Sequence, residues 1–211
     1  YASIGKNAGY LVTSSGSPTL IGVTENIQDY PYYDPTRSGA FPSSSIFWRS
    51  KFTLVEPARW ARTQLMVLTP LDQIGIGSRT YFAGKATMGR AKLAPELAHD
   101  TPVPWSGDTQ TMDDIKVFNG SLDRYDFKLI GKKEKFIVYN NYKMTDPAAC
   151  PASVLLTRNF PNPDCVRWEL HRVWVVEATL KPGARHLYRK RVFYWDEDGY
   201  VAGQAENYGS D

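Results

Sequence analysis

Between Val166 and Tyr208 the chain carries three long, aromatic-rich strand segments in succession, and this meander holds more apolar side chains than one core face can use. The first segment, Val166 to Thr179, starts with the period-two alternation of a half-buried strand and then turns apolar on both faces. A strand of about 14 residues spans roughly 45 Å at ~3.3 Å per residue, well past the usual length. Strands that long twist and coil, so the expected architecture is mainly β (α+β): an open antiparallel half-barrel, strongly coiled, wrapped around one or more short helices or an apolar ligand. Its turns are read at Lys181-Pro-Gly-Ala184 and at Glu197-Asp-Gly199, the latter an Asp-Gly hairpin signal.

Other strands follow from the same reasoning. In Ile46 to Val55 the side chains of Ile46, Trp48, Phe52 and Leu54 share one face, assigned to the core, and Phe47, Arg49, Lys51 and Thr53 share the other. Thr63 to Thr69 is a second strand. Ser78 to Phe82 with Lys85 to Leu93, and Phe127 to Ile130 with Lys135 to Tyr139, read as hairpins, the second turned through Gly131-Lys-Lys-Glu134. Residues 1–45 carry dense turn chemistry, rich in Pro, Gly and Ser, which predicts extended coil with at most short strands. After prolines 95, 102 and 104, Asp108 to Gly120 reads as one short helix near 109–119, with Met112, Ile115 and Phe118 as its apolar stripe.

With 211 residues, 42% of them hydrophobic, the chain is expected to form a single domain with a substantial core. A net charge of +3, with bases interleaved among acids, argues against a nucleic-acid partner, and the basic runs Lys132 to Lys135 and Arg185 to Arg191 read as solvated hairpin faces. No apolar run is long enough for a membrane-spanning helix. The two cysteines, Cys150 and Cys165, flank a Pro/Asn/Asp-rich loop; a disulfide closing about 15 residues contributes about 3 kcal/mol, the alternative being two buried thiols. The sequence begins at Tyr1 without a methionine or a charged-then-apolar stretch, so a processed or trimmed product is expected if the protein is secreted, and the start by itself is uninformative.

Chemistry is sparse. None of His99, His171 and His186 has metal-ligand spacing, and no nucleophile elbow or phosphate-binding loop occurs, so no metal, cofactor or catalytic residue is assigned and the chain is not read as an enzyme. Glu169, His171 and Arg167 alternate on one strand face, as a polar cluster or as a solvated row. Asp196 to Gly199 reads as a turn rather than a calcium loop.

Five blocks carry a resemblance: Asp29-Tyr-Pro-Tyr-Tyr-Asp-Pro-Thr-Arg-Ser-Gly39, Pro42-Ser-Ser-Ser-Ile-Phe-Trp-Arg-Ser-Lys-Phe-Thr-Leu-Val-Glu-Pro57, Leu122-Asp-Arg-Tyr-Asp-Phe-Lys-Leu-Ile-Gly-Lys-Lys-Glu134, Tyr139-Asn-Asn-Tyr-Lys143 and Arg167-Trp-Glu-Leu-His-Arg-Val-Trp-Val-Val-Glu-Ala-Thr179. Together they resemble the bacterial domain-of-unknown-function family thirteen-twenty-nine, whose members are similar in plan to the outer-membrane lipoprotein-sorting (Lol carrier) proteins. The resemblance implies a lipoprotein-carrier-like half-barrel, a truncated member of the family, and a location in the periplasm or on the periplasmic face of the outer membrane of Gram-negative bacteria. It also implies a hydrophobic small molecule or lipid as ligand, an inner-membrane lipid-export pump or outer-membrane protein as partner, and peripheral membrane association. The residues expected to line the concave cavity are Trp48, Phe52, Trp168, Leu170, Trp174 and Val176. A role in assembling an export complex through exposed strand edges is the second expectation, and a lipid or polyester hydrolase using Glu169 and His171 the third.

Overall fold

The structure is a computed structural model that describes residues 2–94, 99–103, 106, 109–199 and 202–209; Pro95, Pro104 and Asp108 lie outside the described residues. With 47% strand and 10% helix, the protein is mainly β, built as two antiparallel sheets. Where the sequence predicts one domain, the chain divides into two compact units. The first comprises Tyr1–Leu11, Leu20–Met112 and Gly120–Leu122, and the second Val12–Thr19, Asp113–Asn119 and Asp123–Asp211. Among the described residues no helix is long and apolar enough to cross a membrane.

The first unit is built on a six-stranded meander, β1 (Ala2–Val12), β2 (Pro18–Asp29), β3 (Ile46–Glu56), β4 (Gln64–Pro70), β5 (Arg79–Ala83) and β6 (Lys92–Leu93), hydrogen-bonded in that order. The alternation read in β3 holds: Trp48, Ser50 and Leu54 are buried, Phe52 is half-buried, and Arg49 and Lys51 face out. In β4 the buried set is Leu65, Val67 and Thr69. The coil expected over residues 1–45 is corrected, because β1 and β2 occupy 23 of those positions as long strands. Their turn residues are concentrated in the tip, where the Gly16 N–H bonds to the Thr13 carbonyl, and Gly16 has a positive φ of 85°. The tyrosine loop that follows lies on its own unit, with Tyr32 against Phe41 and Phe47 at ring separations of 4.9 and 5.6 Å.

The second unit carries a four-stranded sheet in the order β10-β9-β8-β7, with β7 (Tyr125–Val138), β8 (Trp168–Leu180), β9 (Lys190–Asp196) and β10 (Ala202–Tyr208). The long first strand of the meander is β8, 13 residues in length. Residues read as a hairpin around Gly131 form one continuous 14-residue strand instead. Gly131 supplies a bulge rather than a turn: its φ is 140°, and the pairing with β8 slips between Leu129 and Gly131. The expected helix over 109–119 is also corrected. Only Met112–Asp114 form a single 3-10 turn, and Lys116 and Val117 then take left-handed φ values of 58° and 73°, which no right-handed helix can continue. For the β-branched Val117 that conformation is strained.

Between β7 and β8 the chain makes two single-turn helices, α1 (Tyr142–Thr145) and α2 (Ala152–Leu155), with Cys150 and Cys165 joined by a disulfide and both buried. Replacing both cysteines with serine removes a 15-residue closure and is expected to lower stability by about 3 kcal/mol. Urea melts under non-reducing conditions measure the loss.

Candidate functional site

The register of the four-stranded sheet sorts its side chains into two faces, since residues directly opposite one another point the same way. One face carries the pairs Phe136 with Leu170, Val138 with Trp168, Lys132 with Trp174 and Val176 with Phe193. The other carries Ile137 with Glu169, Lys135 with His171, and Val173 with both Lys133 and Asp196.

That second face is closed by the protein itself. Ile137, Val173, Val192 and Tyr194 form a buried cluster, joined by Tyr139 and Val175. Gly203, at a bulge in β10, lies so close to β7 that a Cβ on it would sit 2.9 Å from Ile137 Cγ2. Lys135 Nζ of β7 is 3.9 Å from Glu206 Oε1 of β10. The two outer strands of the sheet thus meet over this face.

The first face, opposite that meeting, is covered at one end. Tyr125, Ala178 and Phe193 are buried there under Val117 and Phe118, with Val176, Leu180 and Trp195 packed against them. The covering segment is tied down by Arg191, which is fully buried in β9. Its Nε donates to Asn207 Oδ1 (2.9 Å), its Nη1 to Asp113 Oδ1 (3.2 Å), and its Nη2 to Asp114 Oδ1 (2.6 Å) and the Val117 carbonyl (3.1 Å). The Tyr188 backbone N–H donates to His186 Nδ1 (3.0 Å), which leaves the ring proton on Nε2 for Asp113 Oδ2 at 3.0 Å. The Tyr188 hydroxyl donates to Asp114 Oδ2 at 3.0 Å. Burial first, and the Asp113 carboxylate second, push the Tyr125 phenol well above its ordinary value, so it stays a neutral donor to the Tyr188 carbonyl at 3.0 Å. A buried guanidinium needs carboxylates and carbonyls in fixed positions, and this one finds them on the 113–119 segment.

At the other end the same face is bare. Phe136, Leu170 and Trp168 are 61%, 57% and 46% exposed, and Leu129 is also exposed. Trp174 is half-buried, with the Lys132 ammonium 4.1 Å from its ring.

The polar cluster read from Glu169, His171 and Arg167 is assembled on the second face and gains a partner. His171 Nδ1 lies 2.9 Å from Asp196 Oδ1, its Nε2 is 3.5 Å from Glu169 Oε2, and Arg167 Nε is 2.8 Å from Glu169 Oε1. The Asp196 hydrogen bond, helped by Glu169, raises the His171 pKa above 6.5. Asn140 bonds to Glu169 and holds it below its ordinary 4.5. Burial pushes Asp196 up, but the Gly199 N–H and His171 outweigh it, and its pKa lies below 3.8. The His171 contribution to stability is complete below pH 6.5 and is lost as pH rises through the raised value; those of the carboxylates are complete above 4.5 and are lost as pH falls through their lowered values. The cluster is therefore at full strength between pH 4.5 and 6.5. Asp196→Asn is expected to move the His171 imidazole titration to lower pH, read by proton NMR.

Of the six residues expected to line a cavity, Trp48 and Phe52 lie on β3 in the first unit, Trp48 inside its core. Trp168, Leu170, Trp174 and Val176 lie together on the first face of the sheet, along β8. Val176 belongs to the cluster under Phe118, and the other three reach toward solvent to different degrees. Sequence reasoning missed the buried network. Arg191 was read as part of a solvated basic run, though it directly precedes the apolar run Val192 to Trp195, and a charge beginning such a run was the available signal.

Two antiparallel sheets with, among the described residues, only single-turn helices make this a mainly β protein, and one sheet carries a half-covered apolar face. The chain belongs to the DUF1329 family, described as proteins of unknown function, whose family model matches residues 2–211. An uncharacterised protein of Pseudomonas aeruginosa is 39% identical over 183 residues, which is 87% of this chain and 38% of that protein. The chain thus spans well under half the length of this curated relative. Among solved structures, a domain from Vibrio parahaemolyticus, provisionally described as outer membrane lipoprotein-sorting, aligns over 99% of this chain and 65% of its own, at 12% identity and a TM-score of 0.57. A DUF1329 family protein from Desulfovibrio piger aligns over 99% and 64%, at 15% identity and a TM-score of 0.50. At these identities the likeness is one of fold.

Proposed function

We propose that this protein binds a hydrophobic molecule, a lipid or acyl chain, and carries it in the periplasm or at the periplasmic face of the outer membrane without transforming it. The observation that carries this reading is the bare apolar strip formed by Phe136, Leu170 and Trp168 beside Trp174. Large apolar side chains left adjacent on one face are the surface an acyl chain would cover, each contributing about 1.5–3 kcal/mol of burial. The open, coiled half-barrel belongs to the same proposal; the meeting of Gly203 with Ile137 and of Lys135 with Glu206 supports the coiling. Because the second face is filled by its own cluster, the ligand is placed on the opposite face rather than in the concavity. The fold likeness to the lipoprotein-sorting domain supports the envelope location.

Native mass spectrometry of gently purified protein tests the reading. Lipid-sized adducts that disappear on delipidation, with fluorescent fatty acid taken up afterwards, are the expected result. A clean apo mass and no uptake would overturn it. A second reading, an accessory protein of a lipid-export complex at an inner-membrane pump or outer-membrane protein, is favoured by β1, an 11-residue edge strand exposed along most of its length. Loss of pump association on placing proline in β1, with fatty-acid uptake unchanged, would select it. A hydrolase is the third reading, with Glu169 and His171 as its nameable site; turnover that survives replacement of both would remove that site.

A further inference from the structure

In the first unit the charge is distributed unevenly. Between Pro57 and Ala94 stand Arg59, Arg62, Arg79, Lys85, Arg90 and Lys92 against a single acid, Asp72. Among the described residues none of these six cations takes part in an ion pair. Four of them gather at one end of the sheet. The pairing of Gln64 with Ala83 sets the β3–β4 turn, with Arg59, Trp60 and Arg62, beside the segment after β5, with Lys85, Met88 and Arg90. Asp72 belongs to the connection at the other end of β4, and Glu56, exposed at the foot of the turn, is the carboxylate nearest in sequence.

The apolar groups at this end are large and outward. Trp60 is 41% exposed and Met88 85%. Arg59, Trp60, Thr63, Phe82 and Lys85 line a cleft of about 370 Å³, with two aromatic walls and two cations that have no acid partner. An indole lining the cleft, an exposed unbranched thioether at the same end of the sheet and cations without an ion-pair partner are what a membrane–water interface with anionic headgroups selects. A nucleic acid would also meet cations and aromatic faces, but it has no use for an exposed methionine.

We propose that this end of the six-stranded sheet docks the protein on an anionic phospholipid surface. Trp60 sits at headgroup depth, Met88 enters the acyl boundary, and the Arg59/Lys85 cleft takes a headgroup phosphate. This anchor lies within the first unit and does not depend on the acyl-binding strip.

Cosedimentation with sucrose-loaded vesicles tests it, using phosphatidylcholine alone and phosphatidylcholine doped with phosphatidylglycerol. The expected result is binding to the doped vesicles only, weakened by salt. Each cation contributes about five-fold to the partition coefficient, so the pair Arg59→Gln and Lys85→Gln lowers it by about 25-fold. Trp60→Ala lowers it further, and all three substitutions fall on exposed positions, so circular dichroism stays unchanged. The strip variant Phe136→Thr with Leu170→Thr is expected to bind vesicles normally, which separates this anchor from the carrier reading. Equal binding to both vesicle types, undiminished binding by the cation double variant, or retention of a single-stranded oligonucleotide in place of vesicles would each overturn the proposal.

Discussion

Replacing Arg191 with methionine is expected to destabilise the second unit by about 3–5 kcal/mol, the cost of leaving buried carboxylates without their counterion. Asp113 is as deeply buried as Arg191, and Asp114 is largely so, and without the guanidinium both must desolvate for too few remaining donors. Because the chain has two units, the loss is best read locally, as faster amide exchange along β9, rather than from a single global melt. Arg191→Lys is expected to rescue little: an ammonium cannot place donors on Asn207, Asp113, Asp114 and the Val117 carbonyl at once. Adding Asp113→Asn and Asp114→Asn to Arg191→Met removes the stranded charges and is expected to recover part of the loss. The anchored segment includes Phe118, whose ring stands 5.4 Å from Phe193 and 5.8 Å from Phe127, so releasing it also uncovers that end of the apolar face.

The second large effect is on binding. With Phe136→Thr and Leu170→Thr together, fatty-acid affinity is expected to fall by at least about 100-fold, since two side chains at about 1.5–3 kcal/mol each are withdrawn from the ligand. Threonine keeps the β-branched preference of the strand. Both positions are exposed, so unfolding by urea is expected to shift by no more than about 0.5 kcal/mol. Displacement of a fluorescent fatty acid gives the affinity. A lowered affinity with an unshifted melt separates ligand contact from folding.

What could be read from the residues was local and periodic. The β3 alternation put Trp48 and Leu54 inside because a strand has only two faces and one was charged. β8 was legible because its length and aromatic density leave few other structures. Gly131-Lys-Lys-Glu134 was misread because glycine before a charged run looks like a turn; the deciding facts are cross-strand, with Lys132 pairing Glu197 and lying over Trp174, and Lys133 and Lys135 lying over Tyr194. Met112, Ile115 and Phe118 fit a helix stripe by spacing alone, yet Asp113 and Asp114 between them serve an arginine 78 and 77 residues away. No window of sequence contains that pairing. The same limit applied to the apolar residues of β8: alternation grouped Trp168, Leu170 and Trp174, but which face the protein closes on itself depends on β7 meeting β10.

That meeting has an evolutionary consequence. A hydrogen atom at position 203, where any other residue would place a carbon, lets the outer strands close over Ile137. A side chain gained at 203 has to be matched by a smaller residue at 137 or by a wider sheet. Homologous chains are therefore expected to vary these two positions as a linked pair, and a relative in which both are bulky should be recognisable from its sequence as one whose outer strands stand further apart.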